Sequence, residues 1–167
     1  MQTLYSISVF IHILCAIVWI GGMLFLTMVV VPVTRQPDFQ GIAGRFFNET
    51  GNKFRRIGWA CFILLFITGF LNLTGRFGSM AVMGDSEFWM GPFGSKLAMK
   101  ITLFALILIM SAIHDFFVGP RAAQLLMDNP DNPAAAKVRK SASWFGRVNM
   151  LLGLIVVFLA VGMIRGM

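Results

Sequence analysis

Four long apolar runs constrain this chain more than any other feature of its sequence. They cover residues 4–33, 57–74, 97–118 and 148–164. A helix needs roughly 20 apolar residues to cross the hydrocarbon core of a bilayer, and only helices or closed barrels satisfy their backbone hydrogen bonds there. Only 13% of the residues are charged, against about a quarter in soluble domains, and the mean hydropathy is +0.79. We therefore predict an all-α integral membrane four-helix bundle, up-down-up-down, as the single transmembrane domain of residues 1–167.

The distribution of Lys and Arg predicts how the helices are oriented. Positive residues favour cytoplasmic loops. Most of the 14 basic residues lie in the first and third loops, so we place both termini on the periplasmic side of a bacterial inner membrane. The prolines and asparagines of the third loop predict irregular backbone with a short helix over residues 134–140. The basic residues of the two cytoplasmic loops are Arg35, Arg45, Lys53, Arg55, Arg56, Arg121, Lys137, Arg139, Lys140 and Arg147.

The charge and motif content excludes several function classes. The net charge of +7 does not indicate nucleic-acid binding, because the basic residues lie between apolar runs rather than along one face. The chain has no nucleotide-binding loop, zinc-protease motif or nucleophile motif, so hydrolysis and phosphoryl transfer have no support. Cys15 and Cys61 lie inside apolar runs and do not resemble a disulfide framework. A membrane oxidoreductase is the enzyme class that stays open.

Each apolar run carries its polar and small residues on one helical face. Residues spaced by three and four positions share a face of a helix, and in lipid the polar or small face turns towards other helices. We therefore expect four inward-facing stripes that pack together as a bundle. The stripes are Tyr5, Ser8, His12, Cys15, Trp19 and Gly22; Gly58, Cys61, Leu65, Thr68, Asn72 and Gly75; Lys96, Lys100, Leu103, Ile107, Met110 and His114; and Gly146, Asn149, Gly153, Val156, Ala160 and Met163.

The two histidines are the strongest candidate ligands. His12 lies in the outer half of the first run, where an imidazole can ligate heme iron or another metal, or relay protons. The alternative for His12 is a hydrogen bond across helices. His114 lies near the inner end of the third run, where an interfacial histidine is the alternative. Asp115 points about 100° away around the helix, so we do not expect a simple pair of His114 with Asp115.

The two histidines also differ in predicted depth. Measured from the helix centres, their heights differ by roughly 15–20 Å at about 1.5 Å per residue. One heme can hardly take both as axial ligands, so either the chain has two sites or the helix boundaries differ from those predicted. Gly58, Gly146 and Gly153 leave space for a flat cofactor in the inner layer.

Sulfur side chains form a second candidate site. His12 and Cys15 make an H-x-x-C pair on one helical face, a spacing that can hold a soft metal such as Cu(I). The outer loop adds Met80, Met83 and Met90, whose thioethers suit Cu(I). Against copper, the chain has 12 methionines throughout its length, and Cys is a common small residue in helix bundles.

Two lysines lie one turn apart at the outer end of the third run. Lys96 and Lys100 can extend to the lipid headgroups while their stems stay in the apolar region. They can equally bind carboxylates, such as the propionates of a heme.

Three segments resemble the CopD-like and HemJ-like membrane proteins. HILCAIVWIGGMLFL is similar to their first helix, FGSKLAMKITLFALILIMSAIHDF to their third, and GRVNMLLGLIVV to the last helix of the HemJ branch. The resemblance covers most of the chain. The segment MLFLTMVVVPV departs from the HemJ branch because it lacks the expected Arg, and FRRIGWACFILLFITGFLNL is more similar to the CopD side. The positions that match the heme branch are His12, Trp19, Lys96, His114 and Asn149.

The two branches imply different functions. HemJ-like proteins are b-type heme proteins that oxidise protoporphyrinogen, and CopD-like proteins are associated with copper handling. Our leading interpretation is a membrane protein that binds heme b and carries electrons, in contact with a quinone or a periplasmic electron-transfer partner, and able to form a homo-oligomer. The iron ligands would be His12 and His114, and the other cofactor-binding residues would be Lys96, Lys100, Trp19 and Asn149.

Two alternatives belong to other classes. The first is a copper-binding transport or resistance protein of CopD type that uses His12, Cys15 and the methionines of the outer loop. The second is a membrane scaffold without catalytic activity. A scaffold would make the histidines structural, so that their replacement would change stability and nothing else.

Overall fold

The computed structural model describes residues 2–128 and 133–165. Every regular element in these two ranges is helical, which confirms the predicted all-α class. Two 3-10 turns, Pro37–Phe39 and Met80–Gly84, lie in the connections. The α-helices are α1 (Gln2–Phe25), α2 (Val31–Val33), α3 (Gln40–Phe77), α4 (Ser86–Met90), α5 (Pro92–Ile113), α6 (Gly119–Asp128) and α7 (Pro133–Arg165).

Four continuous helical stretches are long and apolar enough to cross a membrane. They are Gln2–Val33, Gly41–Phe77, Pro92–Leu125 and Lys140–Ile164. Together with their exposed apolar side chains, they make the chain a multi-pass membrane protein. Large side chains such as Phe66 cover the outside of the bundle, where lipid rather than water is the natural solvent.

The helices extend further than the predicted spans. The second span was predicted at 57–74, but α3 already begins at Gln40. The predicted short helix over 134–140 is the start of the continuous α7, and Asn129, Pro130 and Asn132 lie outside the described residues. Hydropathy locates the part of a helix that lipid surrounds, whereas the helix itself continues into charged sequence because Arg, Lys and Gln are good helix formers.

Two π-helical turns interrupt the spans, and each precedes a proline. Leu26–Val30 joins α1 to α2, and His114–Val118 joins α5 to α6. A proline lacks the N–H of a helical residue, and its ring clashes with the carbonyl of the residue four positions earlier. The residues four positions before Pro32 and Pro120 are Met28 and Phe116, and each lies inside a π turn. The wider turn accommodates the proline, so each span continues without a break.

Contacts between the helices fix an antiparallel arrangement. Tyr5 packs at Gly75 and Phe54 packs at Gly22, so that α1 and α3 run in opposite directions with close backbones. We call the end where α1 begins and α7 ends the termini end, and the opposite end, where the first half of α3 lies, the basic end. Which end faces the cytoplasm stays a prediction from the positive charges.

The core lies largely along the predicted inward stripes, and it also includes Met23 and Phe62, which the stripes did not contain. α1 packs against α3 and α7, and α5 packs against α7. Small and sulfur-containing residues allow these helices to approach, and a few aromatic rings fill the remaining space. The buried cluster consists of Cys15, Trp19, Met23, Cys61, Phe62, Leu65 and Ile107.

Candidate functional site

The polar face of α1 is turned into its interface with α3. The Thr68 hydroxyl donates to the Leu64 carbonyl oxygen at 2.6 Å, and it therefore accepts from Nδ1 of His12 at 2.8 Å. Ser8 donates its hydroxyl hydrogen to the Thr68 carbonyl oxygen at 3.4 Å. With its proton on Nδ1, the His12 imidazole keeps the lone pair of Nε2 for a ligand.

One turn along α1 from His12, the interface between α1 and α3 contains two cysteines. Cys15 on α1 and Cys61 on α3 belong to one buried cluster, between the His12–Thr68 hydrogen bond and the packing of Trp19 at Gly58. Both are free cysteines. The sequence paired Cys15 with His12 on the same helix, whereas the fold brings it a thiol from the neighbouring helix.

A lysine completes this part of the bundle. Lys100, on α5, lies close enough to His12 for the two side chains to interact electrostatically. Within the described ranges the ion pair found is that of His114 with Asp115, so Lys100 has no carboxylate beside it. Lys96 lies one turn nearer the termini end. An unpaired cation in a membrane-spanning helix is costly and is typical of a functional position.

The basic end holds a separate polar cluster around His114. Its Nδ1 lies 2.9 Å from Oδ1 of Asp115, so the expectation that these neighbours do not pair is wrong. Trp59 donates its indole N–H to Oδ2 of Asp115 at 3.1 Å, and Arg55 donates to the Asp115 backbone carbonyl at 2.8 Å. The π turn changes the angle between successive residues, and these two donors on α3 hold Asp115 where its carboxylate reaches the imidazole.

The two histidines therefore belong to different layers of the bundle. His12 contacts α3 at Thr68, and the His114 cluster contacts it at Trp59, nine residues away. At about 1.5 Å per residue this is a separation of roughly 14 Å along the helix. The fold does not bring the two imidazoles together.

Trp19 fills the space that glycines leave between these layers. A Cβ at Gly58 would lie 3.5 Å from Cδ1 of its indole, and a Cβ at Gly153 would lie 3.0 Å from Cζ3. The ring also packs against Phe62, with centroids 4.9 Å apart. The cavity predicted for a flat cofactor between Gly58 and Gly153 is thus occupied by a side chain of the protein.

Asn149 joins α7 to α5 at the basic end of the core. Its amide donates to the Ser111 hydroxyl at 2.6 Å, and its carbonyl oxygen is buried without a hydrogen-bond partner in the described part of the chain. Ser111 and Asn149 are both buried. The geometry makes Asn149 a bridge between helices.

The methionine loop lies at the termini end, away from the thiols. Met80 and Met83 belong to the 3-10 turn, which Trp89 closes by donating its indole N–H to the Met83 carbonyl oxygen at 2.8 Å. Met90 ends α4 and is 77% exposed. Over the described residues, no group of three or more His, Cys, Asp or Glu side chains could hold a metal ion.

The sequence predicted which residues face the bundle interior better than it predicted the residues that they contact on other helices. Cys61 and Thr68 were on a predicted inward stripe, but nothing in the sequence paired them with residues of α1. Arg55 and Trp59 were not candidates at all. The positions of Arg55 and Trp59 along α3 carry no signal in the sequence for a contact with Asp115.

These features define a class: a multi-pass helical membrane protein with buried thiols and half-buried imidazoles between its helices. Residues 48–163 match the family described as "CopD: Copper resistance protein D". An "Uncharacterized protein" from Aquifex aeolicus (strain VF5) is 30% identical over 157 residues, which cover 93% of this chain and 92% of the relative. No solved structure matches the chain. The chain therefore belongs to the copper resistance protein D family.

The family match supports the CopD side of the resemblance. It makes the chain a membrane protein of the copper-resistance type. The matched segment contains α3 to α7 apart from their outermost residues, and α1, with His12 and Cys15, precedes it.

Proposed function

We propose that this protein binds Cu(I) within its transmembrane bundle and thereby contributes to copper resistance. The observation that carries the proposal is the orientation of α1: His12 and Cys15 face α3 rather than lipid. An imidazole and a thiol are ligands that a soft metal ion accepts. Apolar helices offer no strong oxygen ligands at this depth, so a hard ion such as Mg²⁺ would find little to bind.

The methionines of the outer loop extend the proposal to the termini end of the bundle, where Met90 is exposed and Met80 and Met83 are half-buried. Met80, Met83 and Met90 present thioethers near the membrane surface, where a Cu(I) ion can first be captured. From there the ion would pass His12 and reach Cys15. We place this end on the periplasmic side of an inner membrane, because most basic residues lie at or beyond the other end.

Anaerobic titration tests the copper function. The purified protein in detergent competes with a chromophoric Cu(I) chelator, and the colour of the chelator reports the Cu(I) that the protein removes. We expect one Cu(I) bound per chain. A protein that removes no Cu(I) from the chelator, under conditions where a known Cu(I) chaperone does, would contradict the proposal.

Binding of heme b is a second candidate function, because both imidazoles have one ring nitrogen hydrogen-bonded and the other available, as histidine ligands of metals usually do. Each has Nδ1 engaged, His12 with Thr68 and His114 with Asp115, which leaves Nε2 to face a metal. The separation of roughly 14 Å along α3 requires two sites rather than one. Lys96 and Lys100 would hold the propionates of a heme at His12, and a quinone or a periplasmic protein would exchange electrons with it.

An optical spectrum tests the heme candidate. Bound heme b gives a Soret band, with split α and β bands on reduction. Protein that stays colourless after purification and after reconstitution with hemin would rule heme out. His12→Ala and His114→Ala, measured separately, would show which layer holds it.

A further inference from the structure

We propose that Cys15 and Cys61 together form a two-coordinate Cu(I) site inside the bundle, an assignment that rests on the copper function proposed above. The two residues lie on different helices, and their exposed fractions are only 6% and 7%. Both thiols are free and belong to one buried cluster. The His12–Thr68 hydrogen bond on one side and the packing of Trp19 at Gly58 on the other place the two thiols at the same level of the contact between α1 and α3.

The number and kind of ligands select Cu(I). Soft thiolates favour Cu(I), and two of them can hold this closed-shell ion in a linear arrangement. Zn²⁺ requires about four ligands in its structural sites, and Ca²⁺ about six to eight oxygens. The described residues contain no third His, Cys, Asp or Glu that completes such a group. A pair of thiolates therefore suits Cu(I) better than the commoner divalent ions.

The surroundings of the thiol pair are apolar. Trp19, Phe62 and Leu65 belong to the same buried cluster and bring no oxygen ligand. They limit the access of water, which would otherwise favour oxidation of the bound ion. His12 lies one turn nearer the termini end, so it borders the path by which an ion reaches the sulfurs from that end.

Binding is balanced in protons and electrons. Two S–H bonds break, two Cu–S bonds form, two protons pass to solvent, and the copper stays in the +1 state. The complex carries one net negative charge, which is costly in an apolar interior. Lys100 supplies a positive charge in the same part of the bundle, beside His12 and without a carboxylate partner in the described ranges. A cation without a fixed anion is the arrangement that an anionic metal complex requires.

X-ray absorption at the copper edge and chelator competition test the site together. We expect wild-type protein to show two sulfur ligands and no nitrogen or oxygen ligand. Cys15→Ser and Cys61→Ser should each weaken Cu(I) binding by more than the roughly 10–100-fold that a lost supporting contact costs a metal site. Ser8→Ala, a buried position on the same face of α1, is the matched control and should bind as the wild type does.

The results of these experiments distinguish a failure of the thiol site from a failure of the proposed copper function. Wild-type protein that binds no Cu(I) would overturn both proposals. Binding that survives both cysteine variants, or that is lost only in the Met80→Ala, Met83→Ala, Met90→Ala triple variant, would overturn the thiol site and keep the copper function. If a serine variant does not fold, the wild-type spectrum decides alone, since three or more ligands, or any nitrogen ligand, contradict the two-thiolate site.

Discussion

The two histidines of this chain occupy contrasting environments. His12 is held by a neutral hydroxyl, beside an unpaired lysine and one turn from two thiols. His114 is held by the carboxylate of Asp115, to which Trp59 also donates, while Arg55 donates to the backbone carbonyl oxygen of Asp115. The first environment combines neutral ligands with the cation Lys100, whereas in the second the carboxylate of Asp115 already has two hydrogen-bonding partners. His12 is thus suited to a ligand pathway in one layer, whereas in the other layer His114 accompanies Asp115, which joins its own helix to α3.

The largest effect should come from Trp19, which separates the two layers. Trp19→Ala removes a side chain that is only 6% exposed and that fills the space beside Gly58 and Gly153. Truncating a buried Trp costs about 3–5 kcal/mol. The measurement is denaturant unfolding in detergent, followed by circular dichroism.

Trp144→Ala is the control for Trp19, since this indole is 55% exposed. We expect a change within about 0.5 kcal/mol, as for other surface positions. Equal losses in the two variants would contradict the role of Trp19 as a spacer between the layers.

The polar cluster at the basic end should depend on the charge of Asp115. Asp115→Asn removes the negative charge to which His114 and Trp59 are hydrogen-bonded. A hydrogen bond to a charged group contributes about 1.5–3 kcal/mol and a neutral one about 0.5–1.5 kcal/mol, so we expect a loss of about 1–2 kcal/mol in this half-buried cluster. Unfolding should therefore become easier, while Cu(I) affinity in the chelator assay stays at the wild-type value.

Asp38→Asn provides the matched change at an exposed carboxylate outside the bundle, with no expected effect on stability. Loss of Cu(I) affinity in Asp115→Asn would contradict the independence of the two layers, because it would show that the His114 cluster is coupled to the copper site.

A substitution at Lys100 tests whether this lysine compensates the negative charge of the Cu(I) complex in the layer of His12. Lys100→Gln removes the cation near His12 without shortening the side chain much. We expect Cu(I) affinity to fall roughly tenfold, equivalent to about 1.4 kcal/mol. Stability should not fall, because the lysine has no carboxylate partner within the described residues.

Lys96→Gln is the control one turn nearer the termini end. A similar loss of affinity in both lysine variants would indicate a general effect of positive charge rather than compensation at the thiol pair. Full affinity in Lys100→Gln would contradict the proposed role of Lys100.

The smallest effect on affinity should come from the methionine loop. The Met80→Ala, Met83→Ala, Met90→Ala triple variant alters a connection far along the chain from the thiols. We expect Cu(I) to bind at equilibrium within about twofold of wild type, but more slowly in stopped-flow mixing. An unchanged rate would remove the loop from the capture step.

Much of the fold was predictable because lipid imposes few choices. A run of apolar residues has to become a helix, and its polar or small residues have to face protein, so Cys15, Trp19, Cys61 and Asn149 were correctly placed inside. Helix ends were less predictable. α3 starts at Gln40, within charged sequence whose hydropathy carries no signal for a helix.

The candidate site was predictable only in part. The H-x-x-C spacing identified His12 and Cys15, since both lie on one face of a single helix. The partner of Cys15 depends on how far α1 and α3 are shifted along each other, and many shifts would satisfy the same apolar pattern. The pair of His114 and Asp115 depends on a π turn, which local spacing rules for α-helices do not include.

The sequence by itself determined four membrane-spanning helices, the inward face of each and the family to which the chain belongs. Only the tertiary structure decided that Cys15 and Cys61 share one buried cluster, that Trp19 occupies the glycine-lined space, and that the two histidines lie in different layers. The physical reason is that hydropathy and periodicity act within one helix. Contacts between helices depend on the fit of particular side chains, such as Tyr5 at Gly75 and Phe54 at Gly22, which set the register of the whole bundle.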